Sequence, residues 1–303
     1  MRLEQLEYFA AVARVGSFRR AADELHVSQP ALSEAVANLE RELGVTLLER
    51  HRSGSRLSTT GRELLPLVAD ALAAVDRLRA AAGHHPDAGR AVRLGTVNAG
   101  TASLLLPAIQ AFPARHPGVT VEIRTLQQDE IEQGLTDGSL DLGLVNLLSG
   151  DDVPPGLVGT ELVRGRPVVV LPAAHPLAAR PALSPDDLRG ESFVGMRAGY
   201  AMHRFAHRVF GDAPPRDWHT TDGAEMGKLM VAQGMGLSVL PDYSVTGDPL
   251  ELAGVLVARP IVDDRTLVRL VLEQRRGARP SAAVRALGDE LVAVAARRSV
   301  PRA

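Results

Sequence analysis

Cysteine is absent from the 303 residues, which excludes a disulfide framework, a thiolate metal site and a cysteine nucleophile. No run of about 18 apolar residues is present to span a bilayer. Glu4 and Glu7 interrupt the stretch where a secretory leader would place charge and then an apolar segment, so a cytoplasmic protein without membrane contact is expected. Lysine is nearly missing: Lys228 alone breaks an otherwise all-arginine basic set. A net charge of −2 excludes a wholly basic nucleic-acid coat. Catalytic signatures are wanting too. There is no G-x-S-x-G elbow and no G-x-x-x-x-G-K-[ST] phosphate loop, and Gly95–Gly100 lacks dinucleotide-binding spacing. His203 and His207 have the i, i+4 spacing of a metal pair, but no glutamate follows His203. Asp151-Asp152 and Asp263-Asp264 read as solvated turns. No enzymatic activity, cofactor or metal is expected, and no short internal repeat is present.

The first 60 residues carry the strongest positive signal. Leu6, Phe9, Ala10 and Ala13 lie at helical spacing, predicting a helix over Leu3–Val15 that Gly16 stops. Ser17 is a suitable N-cap for a second helix, Phe18–Leu25, and Ser28 for a third after a very short connection. In that third helix Leu32, Val36, Leu39 and Leu43 form one apolar face, with Pro30 in the first turn and Gly44 at the end. Two helices so tightly joined match a helix-turn-helix, whose second helix offers its N-terminal side chains to base edges. Val45–Leu48 and Ser55–Ser58 fit two short strands of a wing. Residues 1–58 hold eight arginines against eight acids, yet Arg50 to Arg62 contains four arginines and no acid. Positive charge is therefore local to the wing, where it suits phosphate contact.

The ordered pattern Gly16-Ser17-Phe18, Ala21-Ala22, Leu25 through Ser33, Leu39-Glu40, Leu43-Gly44-Val45, Leu47 through Arg50, Leu57-Ser58 and Gly61 resembles the DNA-binding domain of the LysR-type transcriptional regulators. Length and domain order fit that family end to end. The resemblance implies a bacterial, sequence-specific regulator of promoter DNA with an α/β fold: a winged helix-turn-helix over 1–58, a dimerisation helix and hinge over 59–89, and a two-lobed effector domain like that of periplasmic solute-binding proteins. Lobe I is expected over 90–160 and 266–303, lobe II over 161–265. The family's DNA-contacting positions fall on Ser28, Gln29, Pro30 and Ser33, with Arg50 and Arg52 at the wing; Ser17, Glu34 and Arg56 complete the candidate set. Glu34 departs from the basic or neutral residue that many similar proteins carry there. It either accepts from cytosine N4 or is a solvated carboxylate near a helix N-terminus.

After the wing, Thr59 or Thr60 caps a helix predicted to run to Ala82, with Leu65, Val68, Leu72 and Val75 as an a/d seam and Pro66 marking a bend or a later start. That seam serves either dimerisation or packing on its own chain, and the resemblance favours a homodimer or homotetramer. Gly83–Gly89 is the expected hinge.

From Arg90 strands and helices alternate: strands over Val92–Val97, Val119–Leu126 and Leu140–Val145, then Pro167–Leu171, Ser192–Gly195, Trp218–Thr220, Leu237–Leu240 and Arg265–Glu273. This order implies a mostly parallel sheet in each lobe with a cleft beyond the strand ends. The expected cleft residues are Asn98, Gly100, Thr101, Gln127, Gln128 and Asn146 from one lobe, and Met196, Arg197, Tyr200 and His203 from the other. Gly100 stands where similar family members place a hydroxyl-bearing residue, with Thr101 beside it. Amides with one cation, Arg197, point to a small polar or anionic effector. The competing readings are a solute-binding module merely fused to a DNA-binding head, and an enzyme.

Overall fold

The computed structural model describes residues 1–51, 54–81, 91–215 and 217–298. The expected hinge at 83–89 and Arg52 fall outside the described residues. The chain folds as two compact units, one headed by Met1–Asp87 and the other formed by most residues from Ala88 onward.

The first unit contains α1 (Leu3–Val15), α2 (Phe18–Glu24), α3 (Gln29–Leu43), β1 (Leu48–His51), β2 (Gly54–Leu57) and α4 (Thr59–Ala81). Its core is the side of α3 predicted from periodicity, Leu32, Val36 and Leu39, packed on Leu6, Phe9 and Val12 of α1 and Ala21 and Ala22 of α2. Leu43, expected on the same stripe, is 40% exposed, because α3 ends there in a left-handed Gly44.

The wing lies later in sequence than expected at its first strand. Glu40 Oε1 accepts the backbone N–H groups of Leu47 at 2.7 Å and Leu48 at 3.0 Å, so Val45–Leu47 is held as a turn and pairing starts at Leu48. Ser58, and not Thr59 or Thr60, caps α4, its hydroxyl accepting from Gly61 N–H at 2.8 Å and donating to Thr46 O at 2.5 Å. Gly61 is required by close approach: a Cβ there would sit 2.1 Å from Leu47 O. The helix α4 runs unbroken through Pro66. Leu65 and Val68 of the expected seam are buried in the first unit's core and Leu72 packs against it. Packing on its own chain accounts for those three.

The second unit holds a five-stranded sheet, a three-stranded sheet and a separate two-stranded pair. The first lobe contains β3 (Ala91–Thr96), a π-helical turn (Thr101–Leu105) leading into α5 (Leu106–Arg115), β4 (Thr120–Thr125), α6 (Gln128–Asp137), β5 (Leu142–Leu148) and β6 (Leu157–Gly165). Then come β7 (Pro167–Pro172), α7 (Pro185–Arg189), β8 (Ser192–Met196), α8 (Ala201–Phe210), β9 (Asp217–Thr221), α9 (Gly223–Ala232), β10 (Ser238–Pro241), α10 (Pro249–Leu252) and β11 (Leu256–Pro260). The chain returns to the first sheet through β12 (Val268–Arg275) and closes with α11 (Ala282–Arg298).

Strand order is β4-β3-β5-β12-β6 in the five-stranded sheet and β10-β7-β11 in the three-stranded one, with β8-β9 as a separate pair. The parallel expectation holds for β3 with β4 and β5, and for β8 with β9. By contrast β12 runs antiparallel to both its neighbours, and the three-stranded sheet is antiparallel throughout. Sequence patterning missed β6 and β11, both edge strands. β6 exposes Thr160, Glu161 and Arg164, the charge an unpaired edge needs and a loop also shows. It runs through the 160/161 lobe boundary expected from sequence.

Candidate nucleic-acid interface and ligand cleft

At the first site, Ser28 Oγ accepts from Ala31 N–H at 3.3 Å and so caps α3; Ser17 Oγ does the same for α2, from Arg20 N–H at 3.4 Å. Both caps satisfy donors that a helix start otherwise leaves open. Ser28, Gln29, Pro30 and Glu34 are exposed and Ser33 half-buried. The N-terminal end of α3 therefore presents a polar, sterically open surface. In the β1–β2 hairpin Arg56 is exposed and stands opposite Glu49, while Arg50 stands opposite Ser55. Ser55 N–H donates to Gly16 O at 2.9 Å, tying the wing to the α1–α2 turn. Arg62 donates to Leu57 O at 2.8 Å and Thr59 Oγ1 at 3.3 Å, so this arginine stiffens the exit of the wing.

The second site is a cavity lined by Val97, Ala99, Gln128, Asn146, Met196, Tyr200, Ala201, Met202, Gly223, Ala224, Leu240 and Pro241. Gln128, Asn146, Met196 and Tyr200 are expected from sequence. Ala201, Met202, Gly223 and Ala224, at the starts of α8 and α9, are not. Neither helix has a side-chain cap; His203 N–H is taken by Tyr200 O at 3.1 Å, which leaves the N–H groups of Ala201, Met202, Gly223 and Ala224, at the first two positions of each helix, to serve a ligand. No charged side chain lines the cavity among the described residues, and its volume is about 10 Å³, room for one water.

The other sequence candidates are engaged elsewhere. Arg197 is about half exposed and pairs with Asp222 at 2.8 Å. His203 Nδ1 contacts Met196 O at 2.9 Å, and its ring centre lies 4.2 Å from that of His207. Asn98 donates through Nδ2 to Thr125 Oγ1 at 3.0 Å. Gly100 N–H is already given to Ser244 Oγ at 3.2 Å. The Thr101 hydroxyl is buried with no partner among the described residues, and neither it nor Gly100 lines the cavity.

Polar contacts close the cleft on several sides. Gln127 Nε2 donates to Ala198 O at 3.0 Å. Ser103 Oγ donates to Tyr243 O at 3.0 Å, and Tyr243 OH to Asn146 Oδ1 at 2.7 Å. Arg204 grips both oxygens of Asp151, at 3.0 and 2.6 Å. Burial pushes the Asp151 carboxyl up, but hydrogen bonds from Arg204 and the Leu148 N–H, with the charges of Arg204 and Arg269, together outweigh it and hold the group below the ordinary carboxylate range. Burial, reinforced by the Asp222 charge, pushes the Tyr200 hydroxyl up to about 12, so it faces the cleft as a neutral donor. Behind the cleft Lys228, 1% exposed, donates to Ser244 O at 3.0 Å and to the carboxylates of Asp248 and Glu225. It thereby fixes the turn that carries Tyr243 and Ser244.

Known proteins place this geometry in context. A family model described as bacterial regulatory helix-turn-helix protein, lysR family, matches residues 3–62, and the LysR substrate binding domain matches residues 85–296. The transcriptional activator protein LysR of Escherichia coli (strain K12) is 31% identical over 257 residues, covering 81% of this chain and 80% of that protein. A probable hydrogen peroxide-inducible genes activator of Streptomyces viridosporus is 33% identical over 281 residues, 91% of this chain and 88% of its own. Among solved structures, a full-length OxyR variant from Pseudomonas aeruginosa has the same fold at TM-score 0.72 and 26% identity, covering 96% of this chain and 94% of that one.

Proposed function

The chain belongs to the LysR family of transcriptional regulators, and we propose that it reads promoter DNA through the start of α3 and the wing of two copies, under control of a small carboxylate with an apolar body held between its lobes. The family binds DNA through this helix-turn-helix and carries an effector-binding domain; the residues and the ligand class are our reading.

For the ligand, one observation carries the proposal. The uncapped starts of α8 and α9 converge on a cavity whose walls are otherwise apolar apart from Gln128 and Asn146. Helix N-termini bind anions through free N–H groups and the helix dipole, while Val97, Met196, Met202 and Leu240 favour a hydrocarbon body. A relative is named for induction by hydrogen peroxide; with no cysteine, this chain has no thiol to take that signal. The small volume requires the lobes to part before a ligand enters, and closure over it is the switch: it alters the angle between paired copies and hence how their reading heads engage DNA.

For pairing, α4 supplies a surface that the expected seam does not. Leu67, Ala71, Ala74 and Leu78 follow i, i+4, i+7, i+11 spacing and are exposed, Leu67 at 61% and Leu78 at 70%. This apolar stripe suits a second copy of the helix.

The test is a DNase footprint on the DNA upstream of the protein's own gene, with and without a panel of small aromatic and aliphatic monocarboxylates. A protected stretch longer than one half-site, lost on Gln29→Ala and altered by a monocarboxylate, is expected. Protection indifferent to Gln29→Ala counts against base readout. A footprint altered only by cations or sugars counts against the ligand class.

A further inference from the structure

Glu273 is fully buried near the end of β12, between β5 and β6 of the five-stranded sheet, and neither carboxylate oxygen has a hydrogen-bond partner among the described residues. A buried charge in that condition is costly, and buried polar groups are normally satisfied. Its surroundings are specific. On β12, Glu273 stands opposite Gly143 of β5 and Gly159 of β6, and Gly143 is in turn opposite Gly95 of β3. A row of three glycines with one glutamate therefore crosses four strands. Side chains at Gly95 and Gly143 would collide with Ile131, and at Gly143 also with Leu135, both on α6, whereas one at Gly159 would meet Val153 and Val271; Gly95 and Gly143 are therefore the trough in which α6 lies, with Glu273 beside it.

The charged groups around this trough are few. α6 brings Glu132, whose charge disfavours ionisation of Glu273. The glycines of β3, β5 and β6 bring none. Farther along their strands, Arg93 and Asp141 pair with each other at 3.1 Å. On β12 itself Arg269 donates to Asp151 O, and Arg275 lies two residues on, towards the strand end. Burial first, and Glu132 second, push the Glu273 carboxyl up to about 7.

Glu132 leads from this trough to the cleft. Its Oε1 accepts from Gln128 Nε2 at 2.8 Å, and Gln128 lines the cavity. The preceding residue, Gln127, reaches across to Ala198 O. We propose that Glu273 is a proton-binding site beneath α6, and that release of its proton unseats α6 and loosens both the Gln128 wall and the Gln127 clasp of the cleft. No bond is made or broken except to the proton, which passes to solvent. Ionised Glu273 repels Glu132; movement of Glu132 carries Gln128 with it. Cleft closure, and the response to any effector, is thereby tied to pH near neutrality.

The test needs no effector, so its outcome is separate from the identity of the ligand. Hydrogen exchange by mass spectrometry on the full chain, corrected for intrinsic rate, compares residues 128–137 and 197–200 between pH 6 and pH 8.5. In the wild type both segments lose about tenfold protection together, the change expected for a group titrating near 7 in the closed form and at its ordinary value when opened. Glu273→Gln holds both constant. Glu132→Gln, at a half-buried position of the helix, is expected to move the transition to lower pH. Wild-type protection that follows Glu273→Gln throughout overturns the proposal, as does an unmoved transition in Glu132→Gln. A response in α6 without one at 197–200 overturns the link to the cleft.

Discussion

Tyr243 donates its hydroxyl hydrogen to Asn146 Oδ1 across 2.7 Å, so an amide that lines the cleft is oriented by a buried residue in the turn after β10. Burial holds the Tyr243 hydroxyl well above its ordinary range, and it stays a donor at every physiological pH. Replacing it with phenylalanine leaves a buried amide oxygen unpaired, which costs about 1–3 kcal/mol. Urea unfolding of Tyr243→Phe is expected to show that loss at unchanged slope.

Lys228 is expected to be far less tolerant. Its ammonium serves Asp248, which is 4% exposed, together with Glu225 and Ser244 O. Removing one partner of a buried ion pair strands the other, at about 3–5 kcal/mol. Lys228→Met therefore lowers the unfolding midpoint sharply, and adding Asp248→Asn recovers most of the loss. Equal stability of the single and double variants would contradict this.

The proposed roles of Gln29 in base reading and of Arg56 in backbone attraction are separable. Gln29→Ala is expected to cost about 1–3 kcal/mol on the cognate promoter and little on unrelated DNA. Arg56→Ala weakens binding evenly across sequences and lowers the salt slope by about one. Anisotropy titrations at several salt concentrations distinguish the two.

The pH dependence of stability has a definite sign. Glu273 has a folded-state pKa raised to about 7 from an ordinary 4.5. A raised acid contributes stability that is complete below the unfolded value and is lost as pH rises through the folded one. Stability attributable to this group falls by up to about 3 kcal/mol between pH 4.5 and pH 8. Thermal unfolding of Glu273→Gln is expected to lack that component; a steeper decline in the variant would reverse the assignment.

How much of this is legible in the chain differs between its parts. The spacing of Leu32, Val36 and Leu39 and the serines at 17 and 28 are local signals, because a helix face and its cap are settled within a turn or two. Long-range pairing is not written locally. Nothing near Arg197 announces that Asp222 neutralises it, and nothing near Gly100 announces that Ser244 takes its N–H. The wing starts late because Glu40, on α3, accepts from Leu47 and Leu48. The α4 seam departs from expectation for a related reason. Two apolar stripes coexist on one helix, and only the fold decides that Leu65 and Val68 turn inward and Leu67 and Leu78 outward. Glu273 reads locally as one acid at the end of an apolar strand; only its neighbours Gly95, Gly143 and Gly159, scattered along the chain, make it unusual.

The solitary lysine has a practical corollary. Because its amine is sealed among Asp248, Glu225 and a carbonyl, Lys228 is closed to amine-directed reagents while the protein is folded. Acylating dyes will reach that side chain only once the fold opens, and lysine-specific proteolysis at residue 228 becomes a direct count of molecules in which the back of the cleft has come apart.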